Sequence, residues 1–163
     1  MTVTPLVRVQ LEDFDAQAEA GRLTEGRRDV GALVTFTGLC RDEAGTLSAL
    51  ELEHYPGMAE AELGRIAGEA ISRWPLTGLT VIHRHGRIRP GENIVLVIAA
   101  SSHRRAAFEA ADFLMDFLKT RAPFWKKEHL VQAEDGTGEG DGNRTSAWVE
   151  ASTRDGADAD RWT

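Results

Sequence analysis

Two amphipathic helical patterns stand among short strand-like segments, in an order that lacks regular strand–helix–strand alternation. The first covers residues 59–74, with apolar side chains at helical spacing, and ends before Pro75. The second begins at Ser102 and ends before Pro123, which cannot continue a helix. This order predicts an α+β domain with a mixed, largely antiparallel sheet and two main helices. We expect the 163 residues to form a single domain.

The remaining apolar segments predict strands. Residues 31–38 indicate a buried strand, and Leu50 and Leu52 alternate with acids in a strand that has one solvated face. We expect these two strands to form a hairpin. A second hairpin is predicted from residues 79–83 and 93–100, which flank a Pro-Gly turn.

The two chain ends have weaker patterns. Residues 7–11 predict a first strand, residues 14–20 a helix, and residues 146–151 a last strand. Between about 134 and 145 the glycine-rich acidic sequence has no apolar residue, which predicts a mobile surface loop.

The helix after Ser102 has a predicted polar stripe and a predicted buried side. The stripe recurs at spacings of four and three and consists of Arg105, Glu109, Asp112, Asp116 and Lys119. The residues expected to be buried are Ala107, Phe108, Ala111, Leu114, Met115 and Leu118.

Charge and composition narrow the function classes. A net charge of −7 argues against nucleic-acid binding, which needs a basic face. Basic residues nevertheless concentrate between His103 and Lys127, which predicts a small anionic ligand or an acidic chain end as partner. The N-terminus lacks a signal-peptide pattern, no apolar run approaches membrane-spanning length, and there is one cysteine. We therefore expect a soluble cytoplasmic protein with no membrane contact.

The segment KTRAPFWKKE, residues 119–128, is the first candidate site. Lys119 closes the predicted helix, where a cation also serves simply as a favourable helix end. Phe124 and Trp125 should fix the following loop to the body and so hold Lys126 in place. Two ammonium groups held close together lower the pKa of at least one, which yields an amine able to act as a base or nucleophile.

The second candidate site is the start of the same helix, SSHRR. His103 and Arg104 at a helix N-terminus can bind phosphate or carboxylate, although a serine cap with exposed arginines explains the same sequence. Positions 103 and 119 are sixteen residues apart, about 24 Å along a helix, so they cannot both contact one small ligand within a chain. If both sites are functional, the economical arrangement is a homodimer in which His103 and Arg104 of one subunit face Lys119 and Lys126 of the other.

Three further residues need an explanation. Arg41 follows the strand at 31–38, a common place for site residues and equally for an ordinary surface arginine. Cys40 permits thiol transfer, but a free cysteine is more often a small buried hydrophobe. His83 and a second histidine two residues on have no third ligand at a recognisable spacing. We therefore expect neither a metal nor a cofactor.

An ordered series of motifs carries a family resemblance. It consists of TFTGLCR, LELEHYPGM, RWPLTGLTVIHRHG, PGE, SSHRRAAFEA and FLKTRAPFWKKE. Over about residues 31–150 these resemble the large subunit of molybdopterin synthases. The resemblance implies an α/β-hammerhead-type fold and a heterotetramer, with a central homodimer of large subunits and a small ubiquitin-like subunit on each side. The implied reaction transfers sulfur from the thiocarboxylate of the small subunit's Gly-Gly tail to cyclic pyranopterin monophosphate, which forms the dithiolene of molybdopterin.

The resemblance also implies roles for residues. Lys119 becomes the central catalytic lysine, with Lys126 beside it. The implied substrate-binding residues are Arg41, His103, Arg104, Lys119, Lys126, Lys127 and Glu128, the last two in a substrate-binding loop. Sulfur arrives with the partner, so Cys40 need not react.

The chain departs from the family at two places. Leu39 stands where members often have lysine, and the arginine expected immediately before Trp148 is absent, with Arg144 as its candidate replacement. Two other functions remain open on the residues alone. One is an enzyme that forms a Schiff base through Lys119, and the other is a non-catalytic adaptor whose basic pocket holds a ubiquitin-like tail.

Overall fold

A computed structural model describes residues 2–131 and 160–162, together with the backbone of 146–149. The predicted loop at 134–145, with Arg144, lies outside these residues. The described elements are β1 Leu6–Gln10, α1 Ala16–Thr24, β2 Ala32–Leu39, β3 Leu47–His54, α2 Met58–Arg73, β4 Leu76–Arg84, β5 Gly86–Ile88, β6 Asn93–Ser101, α3 Arg104–Thr120, β7 Phe124–Leu130 and β8 Ser146–Val149. The α+β class is confirmed. No described helix is both long and apolar enough to cross a membrane.

The first sheet has the order β1-β4-β6-β2 and is covered on both faces. Only the β1–β4 pair is parallel. Alternate side chains of β6 enter different clusters: Val95 and Val97 face the cluster formed with α2 and α3, while Leu96 and Ile98 pack with Phe14 on the other side. Burial on both faces explains why β6 has a continuous apolar sequence.

The second sheet has the order β5-β3-β7-β8 and is antiparallel. Its buried side chains are fewer, and Cys40, Leu52 and Ile88 form their own small cluster. Strand β7 follows α3 after only three residues, 121–123. The basic residues of β7 therefore lie in this second sheet, directly after the end of α3, the longest described helix.

One hairpin prediction is confirmed and the other is wrong. Strands β4 and β6 pair antiparallel, with β5 and the Gly91 turn between them. Strands β2 and β3 do not pair: β2 lies against β6 in the first sheet and β3 against β5 and β7 in the second. The acidic turn after Arg41 therefore joins the two sheets rather than two strands of one hairpin.

The predicted span of α3 is confirmed, but two of its residues, Phe108 and Asp116, were assigned to the wrong side of the helix. Phe108, expected in the core, is 61% exposed, whereas Asp116, expected in the polar stripe, is 8% exposed. Asp116 is covered because its Oδ2 accepts hydrogen bonds from Arg161 (Nε 3.1 Å, Nη2 2.9 Å) and from the indole N–H of Trp162. Since that partner lies far along the chain, helical periodicity could not identify it.

Candidate active site

Strand β7, Phe124–Leu130, takes the place of the loop that was expected after the helix break in the segment 119–128. Successive side chains of a strand point to opposite faces, so Phe124, Lys126 and Glu128 share one face while Trp125 and Lys127 share the other. Opposite Lys126 in the register is buried Leu52, and opposite Lys127 is Glu51. The face with Lys126 is called the inner face below and the face with Lys127 the outer face.

The aromatic pair behaves as this alternation requires. Phe124 packs against the main core, whereas Trp125 is 43% exposed and meets Tyr55 edge to face at a centroid distance of 5.5 Å. Both aromatics were expected to anchor the segment to the body of the domain. Only Phe124 packs against the core in this way.

Lys119 lies in the last turn of α3 and is exposed. The N–H of Arg121 donates to the carbonyl of Phe117 (2.8 Å) and closes the helix. The three-residue connection then begins β7, so Lys119 and Lys126 stand on either side of one short turn. A cation in the last turn is also stabilised by the helix dipole.

Arg41 and Glu128 line one cleft of about 260 Å³. Its other polar side chains include Asp42 and Glu43, and the Arg41 guanidinium pairs with Glu43 at 2.9 Å. The carboxylate of Asp42 accepts the backbone N–H groups of residues 46 and 47, both at 3.2 Å. The cleft thus contains three carboxylates and one guanidinium, which suits the mixed polar groups of a ligand better than a bare phosphate.

His103 and Arg104 are exposed at the opposite end of α3. The backbone N–H of His103 donates to the Ser101 hydroxyl (3.2 Å), which in turn donates to the Pro75 carbonyl (2.8 Å). Because α3 is continuous from residue 104 to residue 120, this end stays about 24 Å from Lys119 in the same chain. One chain therefore places Arg41 with Glu128 in one cleft and Lys126 on the strand that follows Lys119, whereas His103 and Arg104 lie at the other end of α3.

Sequence reasoning considered His83 and His85 only as metal ligands and did not predict that they pack with His54 and Phe124 near Lys126. The His83 ring stacks on Phe124 (centroids 3.8 Å apart, 14° between planes), and the rings of His54 and His85 lie 4.3 Å apart. Burial lowers the pKa of His83 to about 4, with Lys126 and the other two imidazoles acting in the same direction. Among the described residues no cluster of His, Cys, Asp or Glu has a metal-binding arrangement.

Cys40 is buried, as expected for a small hydrophobe. It is 4% exposed and its Sγ lies 3.9 Å from the carbonyl oxygen of Ile88. Burial raises the pKa of the Cys40 thiol, so the reactive thiolate is disfavoured. Leu39, at the position where the family often has lysine, is exposed.

The fold and site define an α+β protein that presents two lysines around one helix–strand junction. Residues 9–121 match the family model described as "MoaE protein". The chain belongs to the MoaE family.

Close relatives cover nearly the whole chain. A curated protein of Mesorhizobium japonicum, named "Molybdopterin synthase catalytic subunit", is 66% identical over 160 residues, which is 98% of this chain and 94% of that protein. The structure of a "Molybdopterin biosynthesis MoaE protein" from Burkholderia ambifaria has 42% identity and a TM-score of 0.77, with 97% of each chain covered.

A more distant neighbour is a "Protein-protein complex of subunit 1 and 2 of Molybdopterin-converting factor" from Helicobacter pylori. It has 18% identity and a TM-score of 0.65, and covers 80% of this chain and 92% of that one. This likeness supports the fold.

Proposed function

We propose that this chain is the catalytic subunit of a molybdopterin synthase. It transfers two sulfurs from the C-terminal thiocarboxylate of a small ubiquitin-like subunit to cyclic pyranopterin monophosphate. The observation that carries the proposal is the 66% identity, over 98% of this chain, to a protein with that name. We expect the enzyme to be a single domain and to act in the cytoplasm. We also expect it to use no metal or cofactor of its own, since the sulfur is delivered by its protein partner.

Lys119 and Lys126 are the proposed catalytic residues. Each transfer forms a carbon–sulfur bond at a side-chain carbon of the pterin, where a carbon–oxygen bond breaks and its oxygen leaves and takes up a proton. Water then cleaves the carbon–sulfur bond of the small-subunit tail, which leaves the sulfur on the pterin and a carboxylate on the tail. Ammonium groups beside these atoms stabilise developing negative charge, and an amine can move the protons. The half-buried position of Lys126 strengthens such interactions relative to water.

Arg41, Lys127 and Glu128 are proposed substrate contacts. Arg41 and Glu128 line the cleft at the far end of the inner face from Phe124. Lys127 is on the outer face, so its contact is with the incoming tail rather than with a pterin beside Lys126. With the pterin on the inner face and the peptide tail on the outer face, both can bind at the same strand.

His103 and Arg104 enter the site from a second copy. Arg104, Phe108, Met115 and Lys119 form one stripe of α3, at spacings of four, seven and four residues. The spacing is symmetric, so an antiparallel copy of α3 places Arg104 of one chain against Lys119 of its partner and Phe108 against Met115. Burial across this contact would also account for the exposed Phe108.

The complete assembly would be a heterotetramer with one small subunit on each side of the dimer of large subunits. The Helicobacter pylori neighbour, a complex of two subunits, supports a small-subunit partner.

Reconstitution tests the proposal. Purified chain, thiocarboxylated small subunit and cyclic pyranopterin monophosphate should form the dithiolene product. Borohydride trapping of a substrate on Lys119 would instead support the Schiff-base enzyme, and tail binding with no turnover would support the adaptor. Mixed Lys119→Ala and Arg104→Ala chains should recover activity if sites are shared, and no recovery would contradict sharing.

A further inference from the structure

Three imidazoles that the proposed reaction does not use lie where the two sheets meet. His83 comes from β4 in the first sheet, His54 from β3 in the second, and His85 directly follows β4. His54 stands opposite Phe124 in the β3–β7 register, at a ring-centroid distance of 6.0 Å. Two imidazoles, the buried His83 and the partly buried His54, thus contact the first residue of the strand that carries Lys126, and His85 packs behind His54.

The contact between His83 and Phe124 is the tightest part of this cluster. The two rings are nearly parallel at 3.8 Å. The His83 ring is held in turn by a 2.7 Å hydrogen bond between its Nδ1 and the carbonyl oxygen of Arg84, so Nδ1–H is the donor. A ring fixed on the first sheet therefore orients the first side chain of β7 on the second.

Lys126 depends on the placement of Phe124. The two residues share the inner face and are two positions apart, which separates their backbones by about 7 Å. A shift at the start of β7 consequently displaces Lys126. His83 is uncharged near neutral pH because burial lowers its pKa to about 4, so it adds no second cation beside the Lys126 ammonium.

We propose that His83 is a positioning residue for Lys126: its imidazole, stacked on Phe124, fixes the start of β7 and with it the Lys126 amine. The link to turnover rests on the proposed function, whereas the placement of the amine does not.

The test measures Lys126 directly. Limited acetylation with acetic anhydride, followed by peptide mass spectrometry, gives the ratio of modification at Lys126 to that at Lys127 in the same molecules. His83→Ala should change this ratio by about threefold or more, because the local environment sets amine reactivity. His83→Phe, which keeps a stacked ring, should restore the wild-type ratio. Ser72→Ala, on the exposed side of α2 and away from both lysines, is the control and should leave the ratio unchanged.

A second variant keeps the test informative if His83→Ala does not fold. Phe124→Leu keeps an apolar side chain but removes the ring, and should shift the ratio in the same direction as His83→Ala. In the reconstituted synthase both variants should lower kcat more than they raise KM, since a displaced amine affects the transition state first.

The outcomes separate the two proposals. An unchanged labelling ratio in the folded variants overturns the positioning role, whatever the turnover. A shifted ratio in His83→Ala, combined with a wild-type protein that transfers no sulfur, overturns the proposed function and leaves the positioning role intact.

Discussion

The two faces of β7 give adjacent lysines different surroundings. On the inner face Lys126 stands between Phe124 and Glu128 and opposite the buried Leu52. On the outer face Lys127 stands beside the exposed Trp125, in a row that includes the acids of β3. Position in the strand, more than residue type, therefore separates the candidate catalytic amine from the lysine that faces the acids of β3.

Alanine substitution of the two lysines should separate the faces most clearly. Lys126→Ala should lower the turnover of the reconstituted synthase by about 100-fold or more, the usual loss when a positioned charge or proton-transfer group is removed. Lys127→Ala should change turnover only a few-fold (about 3), because its side chain lies on the opposite face from the amine proposed to react and a peripheral charge contributes little. Single-turnover assays of dithiolene formation measure both. Equal losses would contradict the division of roles.

His83, which contacts the inner face, should make the protein sensitive to acid. Its pKa falls from 6.5 to about 4 on folding, so the folded state binds fewer protons and stability is lost as pH falls from about 6.5 to 4. The full effect of such a shift is about 3 kcal/mol.

Urea denaturation at several pH values tests this effect. His83→Phe should reduce the loss of unfolding free energy between pH 7 and pH 4 relative to wild type, and His129→Gln should retain most of it. The same pH dependence in His83→Phe as in wild type would assign the acid sensitivity to other groups.

The aromatic pair should differ in stability rather than in chemistry. Phe124→Ala removes a ring packed on the core and on His83, so we expect a loss of about 2 kcal/mol. Trp125→Ala removes a ring that contacts mainly Tyr55, for which about 1 kcal/mol is expected. Urea midpoints at pH 7 give both values, and a larger loss for Trp125→Ala would reverse the assignment of the faces.

Local patterns predicted most elements, and non-local contacts account for the errors. The spans of α2 and α3 followed from apolar spacing and terminal prolines. The β2–β3 hairpin was wrong because proximity in sequence does not decide which sheet a strand joins. Strand β7 was expected as a loop because its basic sequence does not reveal the pairing with β3, whose residues lie 70 or more positions earlier in the chain.

The candidate site was predictable to a similar extent. The motif resemblance selected Arg41, Lys119, Lys126 and Glu128, and the structure places Arg41 with Glu128 in one cleft. It could not indicate that Lys127 faces away, since that depends on β7 being a strand. Nor could His83 be recognised, because its stacking partner Phe124 lies about 40 residues later in the chain.

The smallest expected difference concerns the contact between His129 and Glu51 on the outer face. Nε2 of His129 lies 2.7 Å from a carboxylate oxygen of Glu51, and both side chains are partly exposed. Exposed pairs typically contribute below about 1 kcal/mol, so Glu51→Gln should lower the unfolding free energy by that amount or less and leave turnover unchanged. The assay of the reconstituted synthase shows whether Glu51 takes part in the reaction. If Glu51→Gln lowered turnover as far as Lys126→Ala, the outer face would belong to the reacting site, and the contrast between the two faces of β7 would no longer separate chemistry from support.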